Sequence, residues 1–233
     1  YDADFQAMEL ASQGKAEQQF GDTIIPAEPA DWMTVENLAV DLLARTKDLR
    51  VIIALTHAWT KRRGLPGYAN GLELLQSTLE RYWETLHPQL EDAGEHDPFY
   101  RINSLAGLGD RSALVTTLYQ CSLLRNTSGE ITLRDAQALL DGSKSESPNY
   151  PGGRARLADE LSRGGQPGIE ALLQSQQRLQ SIHDLLVKEL GAGGAPETGQ
   201  LRKTFSVVAD ACRSTDIHSF IPHTTETSAP ANA

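Results

Sequence analysis

The sequence predicts a mainly α protein: an antiparallel helical bundle built of hairpins, with a small β-hairpin near 121–133 and a second helical hairpin region after it. Three observations carry this reading. Apolar residues recur every three or four positions along most of the chain, the period of a helix with one buried face. The periodic stretches are joined by short Gly- and Pro-containing connections, and helices joined in this way pack back on each other antiparallel. The stretch "CSLLRNTSGEITL" instead holds two short apolar runs around "NTSG", the pattern of a hairpin.

Trp32, Val35, Leu38, Ala39, Leu42 and Leu43 form one stripe of a first amphipathic helix, and Asp31 is placed to accept hydrogen bonds from the open N–H groups of its first turn. "DLRVIIALTHAWTKRR" is apolar on more than one side and is expected to be the most enclosed helix. Lys61, Arg62 and Arg63 offset the negative end of its dipole, and Gly64 closes it. A third helix is marked by Tyr68, Leu72, Leu75, Leu79, Tyr82, Trp83 and Leu86, running from the "GLPGYANG" turn to His87, where Pro88 disfavours helical backbone. Trp83, one turn back on the same face, is expected to shield His87 at the helix end.

"DPFYRINSLAGL" starts another helix, with Asp97 as cap and Pro98 at the first helical position. "SALVTTLYQ" fits helix or strand. "TLRDAQALL" is helical, with Thr132 and Asp135 at capping-box spacing. Pro, Gly and Ser dominate "DGSKSESPNYPGG" and mark an internal boundary. Beyond it, Ile169 to Leu190 predicts a helix of about two dozen residues, and Leu201, Phe205, Val208 and Cys212 mark a last one. The resulting division is a helical domain over 1–142, a linker over 143–153, a helical hairpin over 154–213 and a linker-like tail over 214–233.

A net charge of -10 disfavours nucleic acid, which requires a concentrated positive surface; the one dense basic run is "KRR" at 61–63. No window approaches the ~20 apolar residues that cross a bilayer, so direct membrane insertion is not expected. The start carries no signal-peptide pattern, and the absent initiator Met suggests a trimmed piece. Cys121 and Cys212 stand far apart and read as reduced thiols of a cytoplasmic protein.

The chemical candidates have simpler readings. His87 sits at a helix C-terminus, where its partial charge opposes the dipole, and no nucleophile or carboxylate partner stands nearby in sequence. His57, His96, His183, His218 and His223 form no HxxxH or HExxH pair. "EDAGEHD" lacks the alternation of a calcium loop, and Glu80 and Glu84 share a solvated helix face. "GLPGYANG" and "GLGD" lack the flanking strand and Lys of a phosphate cradle. No catalytic residue, metal ligand or cofactor site is assigned.

"DW" at 31–32, "KDLRV" at 47–51, "RGLPGYANGLELL" at 63–75, "RYWETLHPQLED" at 81–92 and "DPFYRINSL" at 97–105 stand in order, and together they resemble the N-terminal domain of the TssA, or ImpA-related, family of type VI secretion systems. The likeness is strongest over 1–110 and extends more weakly to 141. It implies a cytoplasmic, non-catalytic scaffold that contacts baseplate and membrane-complex components and helps start or coordinate assembly of the inner tube and sheath. Full-length relatives are expected to form ring-shaped homo-oligomers through a C-terminal region expected to be absent here.

On this resemblance the matched residues read as architecture. Asp31 and Trp32 open a helix, and Asp48 and Arg50 orient the next one. Gly64, Gly67 and Gly71 shape the tight connection, and Trp83, His87 and Pro88 finish the long helix. Arg101 is expected to pair with an acid of the preceding loop. The turn 62–70, with Arg62, Arg63, Leu65 and Tyr68, is the expected partner surface, since loops on rigid helices commonly carry contacts. Two rivals stand beside this reading. An all-helical hydrolase would need His87, His57 and the acidic loop to meet in one cleft. A generic regulatory binding module would differ in its partners alone.

Overall fold

The computed structural model describes residues 2–21, 23–92 and 94–213; the expected tail at 214–233, with His218 and His223, lies outside them. In chain order the elements are α1 (Ala3–Gln13), β1 (Gln18–Phe20), β2 (Thr23–Ile25), α2 (Trp32–Arg45), α3 (Leu49–Arg63), α4 (Leu65–Tyr82), β3 (Glu91–Asp92), β4 (Glu95–His96), α5 (Phe99–Leu105), α6 (Ala113–Gln120), β5 (Ser122–Asn126), β6 (Gly129–Thr132), α7 (Leu133–Leu140), α8 (Gly153–Arg163), α9 (Pro167–Leu190) and α10 (Gly199–Arg213). One 3₁₀ turn, Ala106–Leu108, follows α5. The strands form antiparallel pairs, β1 with β2, β3 with β4, and β5 with β6. The protein is mainly α, and β5–β6 is the hairpin expected near 121–133.

The helix starts follow capping chemistry. Asp31 accepts from Met33 N at 3.2 Å and Thr34 N at 3.1 Å. Asp48 takes Arg50 N at 2.9 Å, and Thr132 takes Asp135 N at 3.2 Å. Each side chain satisfies an N–H that the helix itself leaves open. "SALVTTLYQ" resolves as helix α6, capped by Ser112.

Helix α3 lies at the centre and is buried on two faces. Leu49 and Ile52 join the larger apolar core. Val51, Leu55 and Ala58 join a smaller one, completed by Met8 of α1 and Val35, Ala39 and Leu42 of α2. The larger core then continues through α4 to α9 and α10, ending at Val208. It therefore crosses the expected boundary, and 143–153 is not a free linker: Tyr150 is fully buried, and Glu130 N donates to Asn149 O at 3.0 Å. Breaker residues shape this segment without releasing it from the core. The region after it holds three helices, not two. Helix α8 leaves little periodic signal in the sequence, because Leu157 and Leu161 are its only fully buried apolar residues. Helix α1 and the β1–β2 hairpin, near the start, are further elements beyond those the sequence predicts.

The connection between α3 and α4 is shorter than "GLPGYANG" suggests. Gly64 alone, at φ +67°, separates the helices. Pro66 falls in the first turn of α4, where a missing N–H costs nothing. Gly67 and Gly71 lie inside α4, so the expectation that they shape the turn is corrected. They sit where α4 presses on α3: a Cβ on Gly67 would lie 2.1 Å from the Trp59 carbonyl oxygen, and one on Gly71 would lie 2.3 Å from Thr56 Cγ2. Glycine is used here for close backbone approach.

The end of α4 also differs from expectation. The helix stops at Tyr82 with Trp83 as its C-cap, not at His87. Carbonyls that would continue the helix point elsewhere. Arg101 donates from Nε to Pro88 O at 2.9 Å, from one terminal nitrogen to Trp83 O at 2.7 Å, and from the other to Leu86 O. From the opposite side, His87 N donates to Lys47 O and His87 O accepts from Leu49 N, both at 2.8 Å. Segment 83–88 is thus held between the arginine fork and the entry of α3.

Candidate interaction surface

The sequence-predicted residues fall into two groups, one around Arg101 and the entry of α3 and one along 62–70. Arg101 is 0% exposed and meets three carbonyls instead of the expected acid. A planar guanidinium can serve three acceptors that a carboxylate partner would leave open. Its charge lies over the Trp83 ring, 4.7 Å from the centroid, so Trp83 shields Arg101 and not His87. The His87 side chain is exposed and its backbone makes the helix contact. Asp48 is buried and binds Arg50 through both oxygens, at 3.1 Å and 2.6 Å.

The expected partner surface at 62–70 needs correction. Leu65 and Tyr68 are fully buried in the core beneath α4, because that stretch is helix and its apolar side faces inward. Arg62 and Arg63 are partly exposed, but both pair with Glu36 of α2. Glu36 also accepts from Trp59 Nε1 at 3.0 Å. These cations therefore bind α2 to the end of α3.

A different concave surface opens between α1, α3 and α6, with a volume of about 820 Å³. Its apolar floor comes from Trp32, Ile53 and Ala54, beside Phe5 and Met8 of α1. The Trp32 and His57 rings meet at 4.3 Å, tilted by 45°. His57 Nε2 lies 3.0 Å from Thr117 Oγ1 of α6. Arg50, Lys61 and Arg111 surround the hollow, with Glu9 on the α1 side. Arg50 stacks on Phe5 at 4.5 Å from the ring centroid. Lys61 and Arg111 are exposed and have no ion-pair partner among the described residues. Sequence reading could not assemble this surface, because its parts come from α1, α2, α3, α6 and the loop before α6, and no local motif links Phe5, His57 and Arg111.

Burial first, and the Lys61 charge second, hold the His57 pKa down at about 4. The unfolded chain, with an ordinary histidine pKa near 6.5, then binds more protons than the folded one between those values. Stability is therefore expected to fall as pH drops from about 6.5 toward 4. His57→Gln should flatten that part of a denaturation-against-pH profile, and an NMR titration of His57 should find its midpoint near 4.

His57 and His87 line separate hollows. That of His87, about 570 Å³, lies among Asp2, Arg45, Asp48 and Arg50. Among the described residues the β3–β4 acidic loop lines neither, so His57, His87 and the described acids of that loop do not share one cleft. Among the described residues, no group of three His, Cys, Asp or Glu is placed to hold a metal ion. No helix among them is long and apolar enough to cross a membrane. Both cysteines are free and partly buried; burial pushes the Cys121 thiol up to about 11, away from reactive thiolate character.

Comparison with known proteins places these features. Residues 1–110 match the family described as ImpA, N-terminal, type VI secretion system. The chain is 34% identical over 206 residues to the type VI secretion system component TssA1 of Pseudomonas aeruginosa, covering 87% of this chain and 60% of that protein. It therefore spans under two thirds of that relative's length. The fold is similar, with a TM-score of 0.60 and 23% identity, to a solved N-terminal domain, including the conserved ImpA_N region, of the TssA component from Burkholderia cenocepacia. That likeness covers 95% of this chain and 87% of the other.

Proposed function

We propose that the chain, whose residues 1–110 match the ImpA N-terminal family of type VI secretion proteins, is the helical recognition part of a TssA-type assembly scaffold. The observation that carries the reading is the 34% identity to TssA1 across 87% of this chain. The packing supports it. The residues of the sequence signature hold helices together, and the titratable groups that a hydrolase would use are scattered. The scaffold contacts baseplate, sheath, inner-tube and membrane-complex components in the cytoplasm. It helps to start or coordinate growth of tube and sheath, without a cofactor and without binding nucleic acid. A ring-forming C-terminal region of the full-length protein presents several copies of this part at once, so weak individual contacts add up through effective concentration.

The test is pairwise. The purified full-length protein is titrated against each baseplate, sheath, tube and membrane-complex component by calorimetry. Saturable binding to at least one is expected; none binding would reject the scaffold reading.

A further inference from the structure

Resting on that scaffold reading, we propose that the hollow between α1, α3 and α6 is the docking site for an acidic peptide segment of a partner protein, seated by an apolar anchor on Trp32 and by carboxylates on Lys61 and Arg111. The argument is one of charge and shape. The chain as a whole carries -10, yet Arg50, Lys61 and Arg111 line this hollow and Glu9 is the one acid in its lining; the neighbouring hollow shares Lys61, but its arginines Arg62, Arg63 and Arg125 are paired with Glu36 and Glu130. A local positive field on an acidic protein steers acidic segments to one place and repels them elsewhere.

The cations also differ in availability. Arg62 and Arg63 are committed to Glu36, and Arg50 to Asp48. Lys61 and Arg111 have no such partner among the described residues, so a carboxylate can reach them without breaking an internal pair. Between them, Trp32, Ile53 and Ala54 offer an apolar floor. The Trp32 ring is held against His57, and a fixed aromatic of this kind is the usual anchor of a binding hot spot. The volume of about 820 Å³ suits the side chains of one face of a short amphipathic helix laid in the groove. A nucleic acid fits less well: its phosphates would need a longer track of cations and would leave the apolar floor unused.

The experiment uses the full-length protein and the same components, one at a time. Lys61→Glu with Arg111→Glu reverses the two free charges. Ala113→Trp fills the exposed α6 edge of the groove at constant charge. Arg163→Glu, at the end of α8 and outside the groove, is the control. All should melt like the wild type, because the substituted side chains are exposed.

The proposal expects both groove variants to weaken binding at least about tenfold, the control to bind normally, and wild-type affinity to fall as salt rises. Wild-type binding that both groove variants retain would overturn the docking site while leaving the scaffold reading standing. Binding of no component by the wild type would overturn both. A single-stranded oligonucleotide that displaces the component from the groove would overturn the choice of an acidic peptide.

Discussion

Arg101→Met is expected to lower the unfolding free energy by about 4 kcal/mol in chemical denaturation. Methionine replaces much of the arginine stem, so the loss does not come from an empty volume. It comes from the carbonyls of Trp83, Leu86 and Pro88, which lose their donors together. A buried acceptor left unpaired costs about 1–3 kcal/mol, and part of that is recovered if water enters. The ring of Trp83 also loses the cation above it. Once 83–88 loosens, His87 no longer presents its carbonyl to Leu49 N, so the entry of α3 frays as well. Burial already pushes the Arg101 pKa down, a sign that this charge is kept at a cost for the sake of its hydrogen bonds.

Gly67→Ala is expected to destabilise by about 3 kcal/mol, although alanine is the better helix former by about 1 kcal/mol. The added methyl would stand 2.1 Å from the Trp59 carbonyl oxygen and 3.1 Å from Arg63 Cβ. Backbone cannot rotate aside as a flexible side chain can, so α3 and α4 must separate. Separation opens both cores, because α3 contributes to each. Gly199→Ala, in the first turn of α10 with nothing within 4 Å of its added carbon, should be neutral or slightly stabilising. Equal effects at the two positions, read from denaturation midpoints, would contradict the close-approach account.

What could be read in advance follows physical range. Helix α2, helix α9 and the hairpin β5–β6 were legible because hydrophobic period, caps and turn residues are local properties. The capping roles of Asp31 and Thr132 are legible for the same reason, since each acts within three residues, whereas Asp48 enters only through the family resemblance. Gly67 and Gly71 misled because glycine in a turn and glycine at a helix crossing look alike in one dimension; only the Thr56 and Trp59 contacts separate the two uses. Tyr68 is rightly counted in the apolar face of α4, but neither it nor Leu65 is a partner surface, since both are fully buried. Arg101 stands out in the sequence but not its partners, since backbone acceptors 13 to 18 residues away leave no mark in composition. The groove was not legible at all: Trp32, His57 and Arg111 meet only through tertiary packing.

The central claim is that the signature works as architecture, with the Arg101 fork at its junction. The unfolding free energy of Arg101→Lys tests it most directly, because lysine keeps the charge but cannot reach three divergent carbonyls with one ammonium. The account predicts that Arg101→Lys loses most of what Arg101→Met loses. A lysine variant as stable as the wild type would show that charge alone is required there, and would contradict the account.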